Sequence, residues 1–537
     1  MSFDSLLVFA TLIITAYTVI PEYRRLDIKL RWGLFDWVVL IYAATLIHYL
    51  LFFPTFKTLG LTPGLSLHAW ALTPKNTAYL VLFAALFVIT LHLKTIKLPR
   101  RKIFKFRNYA NELLNDRKYD ILVKSLESKI YELRRIYNAN FLLAKVKKKY
   151  GPKSFWEMAA YLEDKKQKKS SKIASIFKRP LSKLAEKAVT PLPAYKGHQV
   201  AARDAVRAFL TNKEFCSYVA SSRPYFAIEI FESNFFETEE FFDNYFFELM
   251  SNKSSILFWE VKNNQNVSSD HVYGLPEENK LLHYLFSDSN KAYELSVWRP
   301  IGEYLISYLN SLENGKDNSH YNKPMEDFME RGQMESPLFV GIYFFDIMVS
   351  SALHQGIRWH MWLYYFPHFT KRIVKNYNQN QDNIDLSSEF PTRYHFLLYR
   401  LFDIMRDWIE CAKHLPPGQQ NVKMEDASLN HDNGNIIKSS ILSFGQCLKY
   451  VLSSDKFTQD FKAYICQIGF RLYFELHASP SAKVFSDVLL LSMIKGGIQF
   501  STETQEIKEA LGEAFVQFDK IPYEFEAVKN IQAILDQ

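Results

Sequence analysis

Three long apolar runs, residues 5–20, 34–53 and 77–93, lie within the first 93 positions, and nothing else in this 537-residue chain constrains its fold so tightly. At about 1.5 Å of rise per residue, each run wound as a helix reaches roughly the 25–30 Å of a bilayer's hydrocarbon core. Trp32, Trp37 and Trp70 flank the runs, where interfacial indoles belong. The opening Met1-Ser2-Phe3-Asp4 lacks a basic segment, and Val19-Ile20-Pro21 lacks a small-residue cleavage site, so the first run is expected to persist as a helix.

Charge then orients the runs. Loop 21–33 holds Arg24, Arg25, Lys29 and Arg31, while the longer loop 54–76 holds only Lys57 and Lys75. After the third run come Lys94, Lys97, Arg100, Arg101, Lys102, Lys105 and Arg107, with no acid until Glu112. Positive residues stay on the cytoplasmic side. The expectation is an integral plasma- or inner-membrane protein with its amino end outside and the bulk of the chain cytoplasmic.

The net charge of +8 conceals a division. Residues 1–190 contain 33 Lys+Arg against 13 Asp+Glu, and the remainder 32 against 44. Cations that begin at the membrane and thin out away from it suit anionic lipid head groups, at about 1 kcal/mol per well-placed charge. Nucleic acid, the other polyanion such a segment can meet, is the less economical partner.

The expected fold is predominantly α: three transmembrane helices, then a large helical cytoplasmic region with a short β element over 255–262. Residues 1–107 form the three-pass unit with its basic flank, 108–190 a basic helical stalk and linker, and 191–537 the cytoplasmic domain, dividing near 312–335. Segment 108–150 lacks proline and glycine, and Ile121, Leu122, Leu126, Ile130, Leu133 and Tyr137 recur at helical spacing, which predicts one helix over 120–149. Ile173, Ile176, Phe177, Leu181 and Leu184 mark a basic amphipathic linker suited to a membrane surface. Aromatics crowd 225–247 among acids rather than cations, the pattern of a core helix pair and not of a base-stacking platform. Further helices are predicted over 295–311, 338–354, 359–376, 392–414, 436–453, 459–477, 481–495 and 504–518.

Candidate chemistry is sparse. Cys216, Cys411, Cys447 and Cys466 have no close Cys or His at ligand spacing, so they read as reduced, buried thiols and no metal site is expected of them. Asp346, Ser350 and His354 share a helix face, but side chains projecting in parallel cannot converge as a triad, and packing is the reading. His354, His360 and His368 do not share a helical turn. Within the apolar runs, Asp36 sits near an end, in reach of water, and His48 is the ionisable group at depth, a feature that elsewhere marks a pathway.

On a strand over Ser255-Ile256-Leu257-Phe258-Trp259-Glu260-Val261-Lys262, Glu260 and Lys262 would project from one face. An acid that holds Mg²⁺ beside a lysine that activates water is the equipment of a phosphodiesterase. The pair resembles the Glu-x-Lys half-motif of restriction-endonuclease-like nucleases. That resemblance implies a further acid on a neighbouring strand, for which Asp243 is the nearest upstream choice, and Mg²⁺ as the one cofactor.

The expected function is a membrane-anchored, cytoplasmic-facing sensor, scaffold or effector, leaning away from catalysis, that works through a helical interaction domain with a protein partner or a second copy. Its rivals are the tethered metal-dependent nuclease and an oligomeric channel gated by the cytoplasmic domain.

Overall fold

The computed structural model describes residues 11, 15, 18–61, 73–95, 98, 102–138, 197–233, 235–268, 270–313, 318–326, 328–330, 332–357, 361–380, 384–414, 436–497, 505–520 and 523–536. Most of run 5–20, Trp70, Lys97, Arg100, Arg101, the stalk beyond 138, the linker with Ile173 to Leu184, and His360 lie outside them. The described elements are helical, with no strand among the described residues and a single antiparallel bridge, Val267 to Tyr273. Contacts divide the chain into two units: residues 1–218 with 229–238, and residues 219–228 with 239–537.

In the first unit, α1 (Glu22–Arg31) leads into α2 (Leu34–Leu51), and α3 (Pro74–Thr95) follows. Both α2 and α3 are long and apolar enough to cross a membrane, and only 17% and 11% of their apolar windows are buried by the protein. They run antiparallel, joined at one end by Ile47, Leu50 and Ala78 and at the other by Asp36 and His92. Leu34, Val38, Ile41, Phe83 and Phe87 face outward. A helix apolar on every side needs an apolar surrounding, and these two find little of it within the protein.

Beyond them, α4 (Ile103–Asn115), α5 (Tyr119–Glu127), α6 (Ile130–Tyr137) and α7 (Gly197–Leu210) bury Phe106, Leu113, Leu122, Leu126, Leu133, Ile136, Val206 and Phe209 as a small bundle. The helix expected over 120–149 is interrupted at Ser128 and Lys129. Lys129 turns inward there, and its ammonium donates to the Ser125 carbonyl at 3.1 Å and pairs with Asp27 of α1. Periodicity cannot register a break made by one captured side chain.

The second unit contains a core element that is also apolar enough to cross a membrane, α12 (Pro337–His354), but 89% of its apolar window is buried inside the fold. Before it come α8 (Thr238–Ser251), α9 (Ile256–Asn263), α10 (Lys280–Phe286) and α11 (Trp298–Leu312). After it come α13 (Tyr365–Asn376), α14 (Arg393–Glu410), α15 (Ile436–Leu452), α16 (Gln459–Ala478), α17 (Lys483–Lys495), α18 (Gln505–Gln517) and α19 (Phe525–Asp536). The helical pattern expected of this half is observed nearly element for element. The acidic aromatic segment is core as expected, with Phe241, Phe242, Tyr245 and Phe246 buried. All four cysteines are buried thiols outside any disulfide.

Helices α15 and α17 touch at backbone distance. A Cβ on Gly445 would fall 2.2 Å from the Ser492 carbonyl oxygen, so this crossing admits only glycine.

The short β element is corrected: residues 256–263 are helix. Leu257, Phe258 and Val261 bury along one face while Trp259 and Lys262 are exposed, the 3.6-residue rhythm rather than alternation. The Asn-rich stretch that follows ends the helix, with Asn264 at its C-cap.

Candidate functional site

On a helix, residues two apart point roughly 200° from each other, so Glu260 and Lys262 do not share a face. Glu260 is fully buried, and its Oε1 and Oε2 accept the backbone N–H groups of Leu281 at 3.1 Å and Leu282 at 2.8 Å. These are orphan donors of the first turn of α10, so the carboxylate caps that helix from outside it. Burial raises the carboxyl's pKa, against the pull of those two amides, Tyr225 and Lys280. Asp243 is held elsewhere: Arg299 grips its carboxylate at 2.8 and 3.0 Å and Glu239 at 2.6 Å. The resemblance to a nuclease half-motif therefore ends at the three-residue spacing.

Polar groups gather at the shared end of α2 and α3. Asp36, expected to reach water, is buried: Oδ2 accepts the Gly33 N–H at 2.7 Å, and Oδ1 meets His92 Nδ1 at 2.7 Å. Arg31 donates to the Leu93 carbonyl at 2.7 Å, and Lys102 to that of Trp32 at 3.2 Å. Of the remaining described basic flank, Lys94 and Lys105 are exposed, and Arg107 pairs with Asp204 at 3.3 Å. His48 is exposed on α2, tilted against Phe52.

A dense set of titratable groups in the second unit sits where the loop 264–274 crosses α12 and α14. The loop is closed by the Gly274 N–H donating to Asn266 O at 2.9 Å, and it is strapped down from α12. Tyr343 donates to the Asn264 carbonyl at 3.2 Å, and the Ser350 hydroxyl donates to the His271 carbonyl. Asp346 takes the Tyr273 hydroxyl at 2.6 Å and the Trp408 indole N–H at 3.0 Å. Asp346 and Ser350 thus do lie on one face, as their spacing predicts, and that face is spent on holding the loop. His354, at the end of the same face, meets the Asp270 backbone. Burial pushes the Asp346 carboxyl up to about 6, against those hydrogen bonds.

His271, at φ +58°, brings its imidazole between Asp407 and Glu410 of α14. Asp407 is raised by burial despite Arg406. Burial pulls Glu410 upward as well, but His271, Glu475 and Lys413 outweigh it and hold this carboxyl below its ordinary value. A cavity of about 220 Å³ opens beside Glu410, lined also by Arg406, Ile468, Arg471 and Glu475. Sequence reasoning missed His271, Asp407 and Glu410. The Asp-x-x-Glu spacing on α14 is visible in the chain, but nothing local announces the histidine that folding delivers to it.

Comparison with protein-family models, with curated proteins and with solved structures finds no match to this chain.

Proposed function

We propose that this chain is a membrane-anchored sensor or effector, in which the ends of the membrane helices are joined to a helical bundle and the larger helical domain offers the interaction surface. The observation that carries this reading is the docking of α1 on α5, with Asp27 of α1 paired to Lys129 in the break just after α5. A helix between two apolar runs that is also gripped by the bundle following the third makes any shift of α2 against α3 a shift at the bundle. A passive tether has no use for that grip.

The outward apolar faces of α2 and α3 support membrane insertion. Arg24, Arg25, Lys29, Arg31, Lys94, Lys102, Lys105 and Arg107 belong to the end where Asp36 meets His92, which supports placing that end on the cytoplasmic side. Anionic head groups are the partners suited to the exposed Lys94 and Lys105. The exposed positions of α2 and α3 are mainly apolar, which favours anchoring over conduction, and the capping role of Glu260 removes the main support for a nuclease.

The test is a double-mutant cycle on the full chain in lipid nanodiscs, read by amide hydrogen exchange in α5. Breaking an ion pair whose lysine is buried costs about 3–5 kcal/mol, so Asp27→Asn or Lys129→Met should each raise exchange by roughly 100-fold or more. The double variant should be no worse than the poorer single. Additive effects, or singles without effect, would refute the coupling.

A further inference from the structure

We infer that His271, Asp407 and Glu410 form a binding site for a divalent transition-metal cation of the zinc class, clamping the 264–274 loop to α14. One ligand atom from each of the three side chains lies within 4.8 Å of the other two. His271 Nδ1 is 3.7 Å from Asp407 Oδ2, and Nε2 is 3.6 Å from Glu410 Oε2. Those separations are long for hydrogen bonds. A cation takes only one ring nitrogen of an imidazole, and two ligands each about 2.0–2.2 Å from it stand roughly 3–4 Å apart. The acid that faces the other nitrogen must therefore swing round the ring edge to complete the set, a movement kept short because the three ligand atoms already lie within 4.8 Å of one another.

The carboxylates are already oriented for this. Arg406 takes the other oxygen of Asp407, Oδ1, at 2.7 Å from Nη2 and 3.1 Å from Nε. Lys413 stands 4.0 Å from Glu410 Oε1. In both acids the oxygen turned toward the imidazole is therefore the one farther from these cations, and Arg406 acts as an outer-shell partner that fixes Asp407. Ser350 anchors the histidine's backbone from α12. An imidazole with two carboxylates selects against Ca²⁺ and Mg²⁺, which favour all-oxygen shells, and toward zinc-like ions. The sites of coupling in the first unit play no part in this inference, so the two can fail separately.

The test uses the metal-stripped full chain in detergent, titrated with Zn²⁺ and, as a spectroscopic probe, Co²⁺. The expected result is one Zn²⁺ per chain, a rise in thermal midpoint, and a visible Co²⁺ absorption band. His271→Gln and Glu410→Gln should each lower Zn²⁺ affinity by more than the roughly 10–100-fold that outer-shell changes cost. Arg471→Ala, on the cavity wall, should leave uptake intact. If His271→Gln does not fold, the near-isosteric Glu410→Gln carries the test. No stoichiometric uptake by the folded wild type, or uptake unchanged in both ligand variants, overturns the site.

Discussion

Glu260 Oε1 accepts the backbone N–H of Leu281 at 3.1 Å, and that bond makes the chain's most nuclease-like acid a helix cap. Removing it strands two first-turn N–H groups in a buried place, at about 1–3 kcal/mol. Glu260→Ala should therefore lower thermal stability clearly, while Lys262→Ala, on an exposed position, should stay within about 0.5 kcal/mol. Differential scanning calorimetry on the two variants checks this. Equal stability with loss of a metal-dependent cleavage activity in both would restore the catalytic reading.

The contrast between Glu260 and α12 shows what was legible. An apolar run of 18 residues, too long for a strand, places α12, which is buried on nearly every side, and helical periodicity locates most other helices of the second unit. Eight residues around Glu260 hold barely two turns, too few to separate a helix from a strand when aromatic and branched residues dominate. Polar partnerships were illegible for another reason. Asp36 with His92, Lys129 with Asp27, and His271 with Glu410 each join positions far apart in the chain, and the second partner of each carries no local signal. The buried carboxylate at Asp36 looked solvated only because His92 and the Gly33 N–H could not be foreseen beside it.

Asp36 also bears on how the paired apolar helices hold together. Its carboxylate both caps the start of α2 and ties α2 to α3 through His92. Asp36→Ala leaves the Gly33 N–H and the imidazole without it, a loss of about 1–3 kcal/mol for a buried acceptor. Resistance of the detergent-solubilised chain to denaturation should fall accordingly. His48→Ala should change little, because His48 is exposed and rests only on Phe52 among the contacts described for it. If the two substitutions prove indistinguishable, the Asp36–His92 pair does not join the helices.

His395 gives the second unit a defined acid sensitivity. Its ring is buried among Tyr377, Phe457 and Phe461, and Nδ1 meets the Thr392 hydroxyl at 2.8 Å. Burial holds its pKa down at about 3, against an ordinary value of 6.5. Between those values the unfolded chain binds a proton that the folded chain refuses. Stability therefore rises with pH across this window and is lost as pH falls below 6.5, levelling only near 3. At one pKa unit per 1.36 kcal/mol, the loss from this residue between pH 7 and pH 5 is about 2 kcal/mol. His395→Leu keeps the site apolar and removes the titration. Its thermal midpoint should start lower at neutral pH, for want of the Thr392 bond, yet fall less on acidification than that of the wild type. Midpoints that decline in parallel would mean that the imidazole is protonated in place, and that the aromatic cage opens to admit the charge.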